Sequence, residues 1–337
     1  MPMLSKDLGI DLGTIYTRIA VGNTVVLQEP TVVAIAIEEQ KIVAVGEEAL
    51  NMYGRVPESI EVTRPLQNGV IADYEITEKL LEYLIRKVSG PMRFFRPRVM
   101  ISVPYGVTSV ESRAVHEAVL QAGSRDVILI QQPLAAALGV DLPIGTPTGN
   151  MLLCMGGGTI QAAVLAMYGI VAAETLRAGG LHLDEAIVTY VRRKYGLIIG
   201  QTTAEQVKLK VGSAVPLEEE QSVEIQGQDQ VTGLPKPLSL TSDDILEAMK
   251  DPLNEVVETA RRVLEKTPPE LVSDIIDRGI AVCGGMALLR GIDRLLTKEL
   301  GVPVYLVDNP LTCIAEGAAL SIDPSVYPKV KRNLPMT

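Results

Sequence analysis

The sequence predicts an α/β protein built as two similar lobes around a shared cleft. Strands and helices alternate along its 337 residues. An apolar strand, a glycine turn carrying threonine and a returning strand occur twice, as GIDLGTIYTRIAV (Gly9 to Val21) and as LLCMGGGTIQAAVLA (Leu152 to Ala166). A third glycine turn, Cys283-Gly284-Gly285-Met286-Ala287, sits late in the chain between an apolar strand and a helix. A repeat at such wide separation points to duplicated lobes, each offering a hairpin turn to the space between them.

The elements follow in order. LGIDLG, TRIAVG, TVVLQ and TVVAIAI are β-branched or apolar runs bounded by Gly, Asn or Pro and read as a meander. EITEKLLEYLIRKVSG places Leu80, Leu81, Leu84, Ile85 and Val88 at helical spacing and stops at Gly90. RPRVMISVP reads as a buried strand, and Thr108 to Glu111 as a capping box that opens the next helix. VILIQQ is a strand leading into the Ala-rich helix PLAAALGV. LLCMGGGT, QAAVLAM and GIVAAETL restart the meander, and helices are expected from near Leu183 and near Thr203. SVEIQGQDQVTGLPKPLSLTS reads as a polar hairpin. Two helices, Ser242 to Met249 and Leu253 to Lys266, are expected before Pro268-Pro269. GIAVCGG should be a strand turning into one helix, MALLRGIDRLLTKELG, with VPVYLV as the last core strand.

Composition narrows the function. Hydrophobic residues make up 47% and charged residues 21%, a globular balance. A net charge of −10 argues against a general nucleic-acid binder, which needs an excess of Lys and Arg to neutralise phosphates. Three cysteines (Cys154, Cys283, Cys313) without metal-ligand spacing favour a reducing compartment, and only His116 and His182 are present to build a histidine metal site. No apolar run reaches the roughly 18 residues of a spanning helix. The opening MPMLSKDLGIDLG lacks the basic region and apolar core of a signal peptide, so a cytoplasmic location is expected.

Glycine turns of this kind bring backbone N–H groups close to a ligand and suit anions. In AEQVK, Glu205 and Lys208 stand three residues apart on one helix face. In PMRFFRPR, Met92, Phe94 and Phe95 are the large apolar side chains of a cluster containing Arg93, Arg96 and Arg98. That combination suits the interface of an anionic membrane, with rings at the acyl boundary and guanidinium groups at the phosphates, the alternative being that one ring caps the core between helix and strand.

These stretches resemble the actin, heat-shock chaperone and sugar kinase superfamily, and within it the bacterial actin (MreB) family. The resemblance is carried by GIDLGT, VLQEPTVVAI, TRPLQNGVIADYEITEKLL, RPRVMISVPYGVTSVESRAV, QQPLAAALGVDLP, GGLHLDEAIVTYVRRKYG, TAEQVKLKVGSA, PPELVSDIIDRGIAVCGGMALLRGIDRLL and DNPLTCIAEGAA, from about residue 7 to 320. It implies an actin-like bilobal fold of two duplicated ribonuclease H-like subdomains with smaller inserted subdomains around a nucleotide cleft. The expected division is a first lobe over residues 1–146 with an insertion at about 33–65, a second over 147–320 with an insertion at about 182–250, and a tail over 321–337.

The resemblance further implies ATP or ADP with Mg²⁺ as cofactors. Asp11, Gly13, Thr14, Ile15 and Tyr16 match the first phosphate loop, and Gly156, Gly157, Gly158 and Thr159 the second. Glu205 and Lys208, with Gly180, match nucleoside contacts; Gly284, Gly285, Met286 and Ala287 match the adenosine loop. Gln132, Asp11 and Thr159 fall in the catalytic set, Asp11 in the water-mediated metal position, and Met92, Phe94 and Phe95 in the membrane loop. Implied partners are further copies of the chain in a filament, the inner membrane surface and wall-synthesis membrane proteins.

Three positions depart from the pattern. Cys154 stands where relatives carry an aspartate, and a thiol is a poor partner for a hard cation. Gln132 stands where this family has glutamate; an amide orients water but takes no proton, although eukaryotic actin works with glutamine there. Leu181, after Gly179-Gly180, removes an acceptor near the nucleotide's sugar. The expectation is a polymerising fold with weakened nucleotide hydrolysis, the alternative being a fully active ATPase.

Overall fold

The computed structural model describes residues 7–90 and 96–335. The first half begins with β1 (Asp7–Leu12), β2 (Tyr16–Val21) and β3 (Thr24–Pro30). A small excursion follows: β4 (Val33–Ala36), β5 (Lys41–Val45), α1 (Glu47–Met52) and β6 (Ile60–Thr63), then the short pair β7 (Leu66–Gln67) and β8 (Val70–Ile71). The chain returns through α2 (Tyr74–Ser89), β9 (Arg98–Val103), α3 (Ser109–Gln121), β10 (Asp126–Gln131) and α4 (Gln132–Gly139). The second half opens with β11 (Asn150–Met155), β12 (Ile160–Ala166) and β13 (Gly169–Leu176). Its excursion is α5 (Gly180–Tyr195), β14 (Leu197–Ile198), α6 (Gln201–Val211), β15 (Ser222–Asp229) and β16 (Pro235–Thr241). It closes with α7 (Ser242–Lys266), α8 (Pro269–Arg278), β17 (Ile280–Cys283), α9 (Ile292–Leu300), β18 (Val304–Leu306), α10 (Cys313–Leu320) and α11 (Tyr327–Val330).

Two five-stranded sheets share one plan. Their orders are β10-β9-β1-β2-β3 and β18-β17-β11-β12-β13. In each, a three-stranded antiparallel meander is extended by two parallel strands that arrive through helical crossovers. The register makes the repeat explicit, since Asp11 pairs with Arg18 as Cys154 pairs with Gln161. Strands buried on both faces read as unbroken apolar runs, which is why DLGIDL, RVMISV and NMLLCM look alike in sequence.

The three largest cores among the described residues lie one under the first sheet around Leu8, Ile10, Leu80, Leu84 and Ile101, one under the second around Leu153, Val164, Ile187, Val256 and Val282, and one between the sheets. The third contains Leu134 to Ala137 of α4, Ala318 of α10, and Cys154, Cys283 and Cys313. Helices α4 and α10 meet there at backbone contact. A Cβ on Gly317 would lie 1.7 Å from the Ala135 carbonyl oxygen, and one on Gly139 1.9 Å from that of Cys313. Only glycine permits that approach. Helix α10, placed with the second lobe by the sequence reading, therefore packs on α4 and β1 of the first sheet. The chain crosses back to the first half before it ends.

The α2 and α3 expectations match the structure, the latter with the Thr108–Glu111 capping box formed in both directions. Two helix readings are corrected. Residues 242–266 form one helix through Pro252, not two. The carbonyl freed by Pro252 is that of Ala248, and both residues line an open groove, where that carbonyl is within reach of solvent. Conversely, residues 285–300 are not one helix: a 3₁₀ turn over Gly285–Leu288 precedes α9, and Gly291, with φ of 70°, separates them. Helix α8 escaped the sequence reading; its pattern lies directly behind Pro268-Pro269, and Pro269 occupies its first turn.

Candidate functional site: an interlobe cleft

The glycine turns converge on one cleft of about 450 Å³ between the two sheets. Its walls include Asp11, Gly13, Thr14, Ile15 and Tyr16 from the β1–β2 turn, and Cys154, Gly156, Gly157, Gly158 and Thr159 from the β11–β12 turn. Gln132 at the start of α4, Gly180 of α5, Glu205 and Lys208 of α6, and Gly284, Gly285 and Met286 complete the set expected from sequence. One expected residue is not there: Ala287 is 4% exposed and packs in the second core, because the 3₁₀ turn directs it inward. Leu209, Gly212, Leu288, Leu289, Arg290, Pro310 and Leu311 line the cleft without having been singled out. The membrane-loop residues Met92, Phe94 and Phe95 lie outside the described residues.

The two hairpin turns touch. A Cβ on Gly158 would fall 2.3 Å from Thr14 Oγ1, and one on Gly157 2.4 Å from Ile15, so bulkier residues would force the lobes apart. Thr14 Oγ1 also accepts the Gly69 N–H at 3.1 Å. The second turn rests on the start of α5, where Gly180 N–H donates to the Gly156 carbonyl at 3.0 Å and Leu181 N–H to that of Gly157 at 2.9 Å. Gly179 is required there, since a Cβ would lie 2.5 Å from Gly156 O. Gly284, at φ 92°, passes the Met155 carbonyl so closely that a Cβ would meet it at 2.3 Å.

Asp11 sits at the floor, 6% exposed. Burial raises its carboxyl pKa above the ordinary value; the Arg18 charge and hydrogen bonds from Ser102 and Gln132 oppose that shift. Ser102 Oγ donates to Asp11 Oδ1 at 2.8 Å, and Gln132 Nε2 approaches the same oxygen at 3.4 Å. Gln161, from β12, donates to Gln132 Oε1 and accepts the Tyr105 N–H at 2.8 Å. It is 1% exposed, and the sequence reading passed it over. Its available signal was a lone amide in an otherwise apolar strand.

Lys208 does not pair with Glu205. Its Nζ lies 2.7 Å from Asp184 Oδ1 and donates to the Gly180 carbonyl at 2.9 Å. The Asp184 contact is an ion pair rather than an aligned hydrogen bond, since Oδ1 has no hydrogen-bond partner of good geometry. Burial raises the Asp184 pKa to about 6, against the opposing pull of Lys208. Arg64, following β6, comes from the first half toward the same corner. Burial lowers its pKa, opposed by the neighbouring Tyr53 and Tyr16 and by the Glu205 and Asp184 carboxylates, and its Nε and Nη1 are buried without a partner.

The donor set suits a nucleotide's cation only in part. Asp11 supplies one hard oxygen donor beside the turns, whereas Cys154, at the equivalent place in the second repeat, is 3% exposed and has its sulfur 3.6 Å from that of Cys283. Among the described residues no group of three or more His, Cys, Asp or Glu side chains is placed to hold a metal by itself. A cation would therefore depend on the phosphates it accompanies.

Duplicated sheets, helices α4 and α10 packed between them, and phosphate-type turns from both halves define the actin-like class of nucleotide-cleft proteins. The chain belongs to the MreB/Mbl protein family, whose profile matches residues 5–327. It is 46% identical over 328 residues to the cell shape-determining protein MreB of Escherichia coli strain K12, spanning 95% of this chain and 94% of that one. The solved structure of MreB5 of Spiroplasma citri bound to AMPPNP has a TM-score of 0.91 at 32% identity, covering 98% of this chain and 99% of that one. A MamK double helical filament shares the fold, with a TM-score of 0.79 at 20% identity, over 94% of this chain and 98% of that one.

Proposed function

We propose that this chain is a cytoskeletal filament protein of the cell-shape type, which binds adenine nucleotide in the interlobe cleft and works on the inner face of the cell membrane to guide wall synthesis in rod-shaped cells. The observation that carries the reading is the meeting of both hairpin turns, α6 and the Gly284 turn in a single cleft. Phosphates fit the N–H groups of the two turns, and Lys208 adds a cation beside Gly180. The nucleoside fits between α6 and the 3₁₀ turn, where Leu209, Met286, Leu288 and Leu289 offer apolar contacts. Bound AMPPNP in the relative from Spiroplasma citri supports nucleotide binding.

Head-to-tail contact between unlike faces builds open filaments rather than closed rings, and the filament form of a fold relative is consistent with that. The cluster PMRFFRPR supplies lipid contact; no helix among the described residues is long and apolar enough to cross a membrane. One small loop binds weakly, so the many copies along a filament provide the avidity, and wall-synthesis membrane proteins are the partners reached there. Hydrolysis is slow in this reading. Asp11 lacks a second acid, Gln132 cannot take a proton, and Leu181 gives the sugar no acceptor. Mg²⁺, held by the phosphates and by Asp11 through water, would supply charge neutralisation.

Electron microscopy of the full chain with ATP on anionic vesicles tests the proposal. Filaments coating the vesicles are expected, with Phe94→Ser plus Phe95→Ser giving filaments that no longer co-sediment with lipid. Coated vesicles with the double variant would refute the membrane role, and no assembly under any nucleotide condition would refute the filament role.

A further inference from the structure

We infer that Gln161 is a positioning residue: a relay of amides running from one lobe through the other holds Gln132 with its NH₂ group toward Asp11 and its carbonyl turned toward Gln161. The inference rests on the reading of the cleft as a nucleotide site, and it identifies a second structural restraint on hydrolysis there.

The polarity of the relay follows from groups that cannot exchange roles. It starts at the Tyr105 backbone N–H, which can only donate, and which meets Gln161 Oε1 at 2.8 Å. The NH₂ end of Gln161 must then face Gln132, and two NH₂ groups do not face each other. Gln132 therefore accepts through Oε1, as observed. Its Nε2 is left pointing at Asp11 Oδ1 and Ser102 Oγ, both at 3.4 Å. That end is consistent too, because Ser102 gives its own proton to Asp11 Oδ1 at 2.8 Å and keeps lone pairs for Gln132. Amide orientation is often a matter of assignment, but here a backbone donor at one end and a carboxylate at the other leave one choice.

The relay is buried throughout: Gln161 is 1% exposed, Ser102 3%, Asp11 6% and Gln132 7%. It also crosses the cleft twice, since Gln161 belongs to the second sheet while Tyr105 and Gln132 belong to the first. Thr175 Oγ1 donates to the Tyr105 carbonyl at 2.7 Å and adds a further crossing at the same point. The equivalent residue of the first repeat, Arg18, also lines the cleft, but it donates to Gln28 at 2.8 Å instead of joining the relay.

The consequence is chemical. Water is oriented for attack by an acceptor, and the acceptor end of Gln132 is engaged by Gln161. Rotating it toward the cleft breaks the hydrogen bond to Gln161 and sets two unmatched groups face to face in a buried place. Gln161→Glu removes that hold. A carboxylate still accepts the Tyr105 N–H but now also accepts from Gln132, whose amide turns round; Ser102 Oγ–H then shifts from Asp11 Oδ1 to the Gln132 carbonyl, which keeps its second lone pair for a water in the cleft.

The test measures single-turnover phosphate release from the full chain with ATP and Mg²⁺, with nucleotide affinity followed separately by a fluorescent ATP analogue. Gln161→Glu is expected to release phosphate about tenfold faster, an effect the size of one hydrogen bond, with affinity within about twofold. In a Gln132→Ala background the same substitution is expected to give no gain. An unchanged rate in Gln161→Glu, or an equal gain in both backgrounds, overturns the inference. A second measurement needs no nucleotide. The Gln132 side-chain NH₂ should exchange with solvent at least about a hundredfold more slowly than that of the exposed Gln226, and Gln161→Met should abolish this protection. Protection unaffected by Gln161→Met overturns the inference as well. A wild-type chain that binds no ATP, yet shows the protection and its loss, would sink the nucleotide reading and leave the relay standing.

Discussion

Asp184 is the residue at which the cleft's electrostatics are easiest to measure. Its side chain is almost fully buried beside Lys208, and burial lifts its pKa from 3.8 to about 6. An acid whose folded pKa is raised binds its proton more tightly in the folded chain than in the unfolded one. Ionised Asp184 thus costs stability at neutral pH, and that cost fades as pH falls from about 6 toward 4. Comparing denaturation midpoints of the wild type and Asp184→Asn between pH 7 and 4.5 should show the wild type gaining on the variant as pH drops. A difference independent of pH would contradict the assignment. Residues also mark the limit of what the sequence disclosed. Asp11, Thr14, Gly157 and Lys208 were legible because glycine turns and helical spacing leave a linear trace. Asp184 and Arg64 were not, because each gains its meaning from a neighbour far away in the chain. Cys154 stood out as a cysteine where relatives carry an aspartate, but that its sulfur would lie against Cys283 required the parallel pairing of β11 with β17.

At the level of elements, helices α4 and α10 join the two halves. Their crossing was invisible in sequence: PLAAALGV reads as an ordinary Ala-rich helix, no element is read in CIAEGAAL, and nothing local says that they meet. The geometry makes the glycines there testable. Gly317→Ala puts a Cβ 1.7 Å from a backbone oxygen, and neither helix can yield without moving a sheet. Overpacking of this kind costs on the order of 3 kcal/mol or more. Gly22→Ala is the control; its φ of 61° is strained for alanine but it has open space around it, so about 1 kcal/mol is expected. Chemical denaturation of both variants settles the comparison, and equal losses would mean that α4 and α10 are not in backbone contact. Pro252 within α7 and Gly291 before α9 were misread for a related reason. Local rules place a break at proline and continuity through an apolar stripe, whereas solvent access at Ala248 and the positive φ of Gly291 decided otherwise.

For the whole molecule, the duplication was the most legible feature, since two similar hairpin sequences announced two similar sheets. What the pairing of lobes adds is contact: Gly158 against Thr14, Gly157 against Ile15, and Gln161 reaching across to Gln132. The two turns approach closely at the cleft, Gly157 beside Ile15 and Gly158 beside Thr14, so a ligand reaching between them would exchange contacts between the lobes for contacts to itself. Such an exchange would couple occupancy to the spacing of the lobes, and the proposed filament role would use that coupling to let nucleotide influence assembly.

The central claim is that this cleft binds adenine nucleotide, and calorimetric titration of the full chain with ATP and Mg²⁺ tests it most directly. A saturable isotherm with one site per chain is expected, weakened about tenfold, or roughly 1.4 kcal/mol, by Lys208→Ala. Absence of saturable binding in the folded wild-type chain would contradict the account.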